Sequence, residues 1–173
     1  MDRVLPITAA LGNRHPERTV FTRFIPPEGL DEMPGMWQRY YTRWRHATRE
    51  RLDLQLRAPR SSAAGIDAAT RGALSARDRY RQNTLLRVCR ARLIEHMRQR
   101  EADGLIVSGS ETDVCVLATV LDAVDIGYRV IVVRDAVCSS SDEGHDMLMR
   151  LYHTRYTEQI ETADAAAILA RWD

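Results

Sequence analysis

Apolar positions along this chain follow two different periods, and a stretch in the middle follows neither. Val4 to Leu11 is short and amphipathic, which predicts a helix stopped by Gly12-Asn13. Thr19 to Ile25 is β-branched and aromatic and ends at Pro26-Pro27, which predicts a strand. Residues 28–56 read as a loop and helix, with Trp37, Tyr40, Tyr41 and Trp44 on one helical face. From about 57 to 92 no period emerges; Ser61 to Gly65 and Thr70-Arg71-Gly72 have loop composition. Order returns with a helix at Arg92–Arg100, a turn at Asp103-Gly104 and a buried strand, Leu105-Ile106-Val107. Thr112 or Asp113 can cap a helix running to Ile126, with Gly127 as its stop. The continuous apolar run Tyr128 to Val133 suits a parallel strand covered on both faces. Ser141 or Asp142 caps a helix to about His153, Tyr156 to Glu161 predicts a short strand, and Asp164 to Trp172 a closing helix. Alternating strand and helix predicts an α/β fold with a mostly parallel sheet.

A length of 173 residues suits one domain with a core of its own. No apolar run is long enough for a membrane-spanning helix, and Met1 to Pro6 has no signal-peptide pattern, so a cytoplasmic protein is expected. Cys89, Cys115 and Cys138 have no spacing that suggests a disulfide framework or a zinc site. Every one of the 25 basic residues is an arginine; the chain contains no lysine. From Arg57 to Arg100 eleven arginines face three acids, a net of +8, while the other residues together carry −7. A basic middle inside an acidic protein raises an alternative reading, a non-catalytic protein that binds nucleic acid or another anion through 57–100. Against it, the segment lacks a periodic scaffold and offers only Tyr80 for stacking.

The chemistry concentrates in Ser108-Gly109-Ser110-Glu111-Thr112-Asp113-Val114-Cys115-Val116, where a buried strand turns into a helix that carries a cysteine in its first turn. The positive end of a helix favours a thiolate and lowers its pKa, and backbone N–H groups there can hold an oxyanion. The carboxyl ends of the strands are also where α/β sheets bind ligands. A lone cysteine in such a place is still more often a small buried hydrophobe. Asp113 reads as a helix cap before a catalytic acid, Cys138 as structural, and Trp37, Tyr40 and Tyr41 as either pocket lining or interface.

The run Gly109 to Val116 resembles the nucleophile turn of isochorismatase-like cysteine hydrolases. Leu117 to Val130 is similar to that family's next helix and strand, and Asp135 to Ser141 followed by His145 continues the likeness. The resemblance is strong over about 104–170 and moderate over 4–56. It implies a three-layer Rossmann-like fold, a cysteine nucleophile at Cys115, and an oxyanion hole from the backbone N–H groups of Glu111 and Cys115. It also implies a cis peptide at Ser110–Glu111, hydrolysis of a small amide or related C–N bond, and assembly as homodimers or homotetramers. Neither a metal nor an organic cofactor is expected. The family's aspartate belongs to a first strand that would precede Val4, so the domain, 1–173, is expected to be incomplete. Its lysine belongs to a motif like Asp-Lys-x-x-Tyr-Ser-x-Phe, at a place held here by Arg81 to Val88. Read one base out of frame, the codons of that stretch permit Ile-Asp-Lys-Thr-Arg-Tyr-Ser-Ala-Phe. A frame shift over roughly 57–91 is therefore expected, as is little or no activity.

Overall fold

A computed structural model describes residues 3–24, 27, 29, 30, 33, 35–48, 79–82 and 90–172. Its helices are α1 (Val4–Arg14), α2 (Met36–Arg43), α3 (Arg90–Gln99), α4 (Leu117–Asp125), α5 (Asp142–Arg155) and α6 (Ala165–Leu169). Its strands are β1 (Phe21–Phe24), β2 (Arg79–Gln82), β3 (Gly104–Ser110), β4 (Arg129–Cys138) and β5 (Ile160–Ala163). All the ladders among the described residues are parallel: β1 pairs with β2, and β4 lies between β3 and β5. The expected α/β fold with a parallel sheet is what forms.

β4 organises the larger sheet because its apolar residues serve both faces. Val130, Val132 and Val137 pack with Val116, Val120 and Ala123 from the α4 side and with Leu148 and Tyr152 of α5. Val133 and Ala136 point the other way, into a cluster with Leu11 of α1 and Ala165 and Ile168 of α6. Helices on both faces of a parallel sheet make three layers. Val130, Val132, Val133 and Ala136 have no exposed surface. Full burial of each valine stabilises the fold by about 1.5–3 kcal/mol.

Several boundaries differ from the sequence reading, each for a physical reason. Helix α1 continues through Gly12-Asn13 to Arg14. Gly12 serves close approach instead: a Cβ there would lie 2.9 Å from the Phe21 ring. Gly127 ends α4 as expected, with φ of +87°. The last strand begins at Ile160, which is buried, and not at Tyr156, because 157–159 form an exposed turn. Strand β2 was not expected at all. Most of the atypical segment 57–91, with the proposed frame shift and Cys89, lies outside the described residues.

The hydroxyl of Tyr152, buried in the core on α5, has no hydrogen-bond partner among the described residues. A buried hydroxyl left unpaired costs stability, whereas the ring that carries it contributes by its burial. We predict that Tyr152→Phe leaves the stability in chemical denaturation unchanged or raises it by up to about 1 kcal/mol. A loss of more than that would show the hydroxyl to be paired in solution.

Candidate active site

The site starts from the end of β3. The ladder holds Ser110 opposite Cys138, after a register shift between Val107 and Gly109. Gly109 has φ of +117°, a conformation suited to glycine, and the Ser110–Glu111 peptide is cis. The chain then winds into one π-helical turn, Thr112–Val116, before α4 begins. The backbone N–H groups of Val114 and Val116 both donate to the Glu111 carbonyl, at 3.2 and 3.0 Å. Cys115 lies inside this turn, half-buried.

Three consecutive residues of the turn each meet the segment that leaves β4. Ser140 Oγ donates to Glu111 Oε2 at 3.0 Å. Thr112 Oγ1 lies 3.0 Å from His145 Nδ1. The Asp113 carboxylate accepts a short hydrogen bond from Ser139 Oγ. Ser141 caps α5, accepting from the Gly144 N–H at 3.0 Å, as its sequence position predicts. Asp113 is not the cap of its own helix: no side chain caps the start of the π-turn or of α4. Its carboxylate reaches across to the first turn of α5, where an acid opposes the positive end of that helix. Glu111 is expected from the resemblance for its backbone only; its carboxylate and the Ser139 and Ser140 hydroxyls escape a sequence reading, although the run of three serines after Cys138 is a signal for the last two.

The electrostatics of Cys115 differ from the helix-dipole expectation. Burial pushes its thiol above the ordinary cysteine range; a hydrogen bond from the Glu111 backbone lowers it, and the Glu111 carboxylate raises it again. Desolvation outweighs the backbone hydrogen bond, since the cysteine is half-covered.

Helix α2 supplies an aromatic cluster. Trp37 and Tyr40 meet edge-on at 5.5 Å, Tyr40 and Tyr41 at 5.3 Å, and Trp37 and Tyr41 at 6.3 Å. Burial first, and then the charges of Glu111 and Cys115, raise the Tyr40 phenol. Tyr41 is pushed up to about 12, by burial first and then by Tyr40 and Cys115. The turn that carries Cys115 is therefore within electrostatic range of both tyrosines. Tyr41 is fully buried, and its hydroxyl has no hydrogen-bond partner among the described residues.

Among the described residues no three His, Cys, Asp or Glu side chains gather as metal ligands, and no helix is long and apolar enough to cross a membrane. Little of the basic segment 57–100 is described. Near its end, Arg100 donates a short hydrogen bond to the Glu17 carbonyl.

A parallel sheet covered on both faces, with a cysteine in the turn after a strand, defines a thiol site on an α/β fold. The isochorismatase domain matches residues 14–164, and the chain belongs to the isochorismatase family. Isochorismatase family protein 1B of Dictyostelium discoideum is 33% identical over 89 residues, which cover 50% of this chain and 42% of that protein. The nicotinamidase of Escherichia coli is 51% identical over 43 residues, covering 25% and 20%. The chain thus spans less than half the length of these curated relatives. Among solved structures, a cysteine hydrolase from Pseudomonas syringae pv. phaseolicola superposes with a TM-score of 0.67 at 20% identity, covering 98% of this chain and 79% of that one. The nicotinamidase/pyrazinamidase of Bacillus subtilis gives 0.64 at 19% identity, covering 92% and 85%.

A raised thiol pKa has a readable consequence. Only the thiolate reacts with iodoacetamide, so protonation holds the rate down until the pH exceeds the folded value. Below that point we predict that alkylation of Cys115 rises about tenfold per pH unit and stays below that of a cysteine-containing peptide. Peptide mapping by mass spectrometry measures it; a rate at neutral pH above the peptide's would show a lowered pKa.

Proposed function

We propose that this family member is a thiol hydrolase of small amides or related C–N bonds, with Cys115 as its nucleophile. The observation that carries the reading is the Cys115 sulfur, half-buried in the turn after β3 and hydrogen-bonded by the Glu111 backbone. In the chemistry this supports, the thiolate attacks the carbonyl carbon, and the carbonyl electron pair moves onto oxygen. The backbone N–H groups of Glu111 and Cys115 hold that oxyanion. Collapse breaks the C–N bond and expels the amine, which takes up a proton. Water then attacks the thioester, releases the acid and returns Cys115 as a thiol. Trp37 and Tyr40 form the apolar wall of the substrate pocket, with Tyr41 fully buried as its backing, an assignment supported by the electrostatic proximity of both tyrosines to Cys115. The nicotinamidases among the relatives support an amide substrate.

Two proton transfers limit this chemistry: one from the thiol, one to the leaving amine. The family resemblance gives charge support to a lysine, and this chain has none. Slow turnover follows. The same reading makes the working assembly a homodimer or homotetramer in the cytoplasm; Met36 and Trp44 of the α2 region are exposed apolar surface that such an assembly would cover.

The test is ammonia release from nicotinamide and a panel of small primary amides, by the protein and by Cys115→Ala. We predict a trace rate, at least about a hundredfold below the common enzyme turnover of about 10 per second. That trace should vanish in the variant. Turnover that survives Cys115→Ala would remove the nucleophile assignment, and ordinary turnover abolished by it would refute only the predicted slowness.

A further inference from the structure

The contacts between the turn and the segment after β4 carry one more assignment, which rests on the reading of Cys115 as nucleophile. Glu111, Thr112 and Asp113 each take a partner from 139–145, so the turn is held at three successive residues. Asp113 is the most constrained of the three. It accepts from Ser139 Oγ, and its carboxylate lies so close to Gly144 that a Cβ there would clash with Oδ2 and stand 3.1 Å from Cγ. A Cβ at position 144 would force this carboxylate to shift from its place against the first turn of α5.

Asp113 is also two residues before Cys115, inside the loop closed by the Glu111 carbonyl with Val114 and Val116. A rotation of the chain at Asp113 would turn the Glu111 peptide, whose backbone bonds the Cys115 sulfur. We propose that Asp113 is a positioning residue for Cys115, tying the nucleophile turn to Ser139 and the start of α5. It touches no reacting atom. Its effect passes through the orientation of the Glu111 backbone toward the thiol.

The sign of the effect separates this role from plain electrostatics. Removing a nearby negative charge would by itself make the thiolate easier to form. Losing the backbone hydrogen bond makes it harder.

The experiment is the rate–pH profile of Cys115 alkylation by iodoacetamide, from about pH 6 to about pH 10.5, read by peptide mass spectrometry with Cys138 as the internal reference. Asp113→Ala and Ser139→Ala should each raise the Cys115 midpoint by about one pH unit, a slowing of about tenfold on the rising limb. Asp113→Asn keeps an oxygen acceptor for Ser139 and should stay within about 0.3 pH units of the unsubstituted protein. A folded Asp113→Ala whose profile is unmoved or falls would overturn the assignment. So would an Asp113→Asn profile that rises as far as the alanine variant's. Where Asp113→Ala fails to fold by circular dichroism, Ser139→Ala decides alone, and an unmoved profile there overturns the proposal. The readout is thiol chemistry and not turnover. Ammonia release that survived Cys115→Ala would sink the nucleophile reading while leaving the alkylation result intact.

Discussion

The parallel pairing of β3 with β4 is the constraint on which the candidate site depends. The ladder starts at Gly104 beside Arg129 and ends at Ser110 beside Cys138. Because both strands run the same way, their carboxyl ends leave the sheet together. Glu111–Val116 and Ser139–His145 are therefore neighbours although about 30 residues apart, and the three side-chain contacts between them follow from that adjacency. The pairing itself is held by burial. Val130, Val132 and Val133 lose all their solvent contact between two layers of helices. A slip of one residue would exchange the faces of these side chains and separate Ser110 from Cys138.

Two effects compete at Cys115, and their balance decides what the sulfur can do. The fold brings a backbone donor to it but also covers it, and covering wins. A thiol with a raised pKa is mostly protonated at neutral pH, so attack on a carbonyl needs a group to remove that proton. Tyr40 and Tyr41 lie within electrostatic range of Cys115, but their own phenols are held protonated, which makes them poor bases. They suit the other task, shaping an apolar wall.

Much of this was legible in the sequence, and the parts that were not share a cause. The β3–α4–β4 unit shows in continuous apolar runs closed by Gly127, because strands buried on both faces need such runs. Ser141 at the start of α5 is likewise readable, since a cap acts three residues away. Asp113 looks identical by that rule, yet its partner is Ser139, 26 residues on. Spacing reports a residue's own helix and is silent about a neighbouring strand end. Strand β2 escaped for another reason. Arg79-Tyr80-Arg81-Gln82 pairs with β1 through backbone groups, which every sequence possesses, and its side chains carry no alternation. The π-turn at Thr112–Val116 differs from an α-turn in its winding, which composition does not encode. The direction of the Cys115 shift needed burial, a property of the assembled layers.

The parts of this site come from separate lengths of chain, and that separation has a chemical meaning. Among the described residues, the contacts that tie the Cys115 turn to its neighbours lie between Gly104 and His145, on strands and helices that share one core. The aromatic wall comes from α2, and the family's lysine motif belongs to the stretch ahead of α3. In the proposed function the lysine's part is charge support, which is distinct from the described contacts of Glu111, Thr112 and Asp113. Thiol reactivity and turnover become separable properties of one fold: the first depends on the clamp around Glu111, Thr112 and Asp113, and the second on whatever handles the proton.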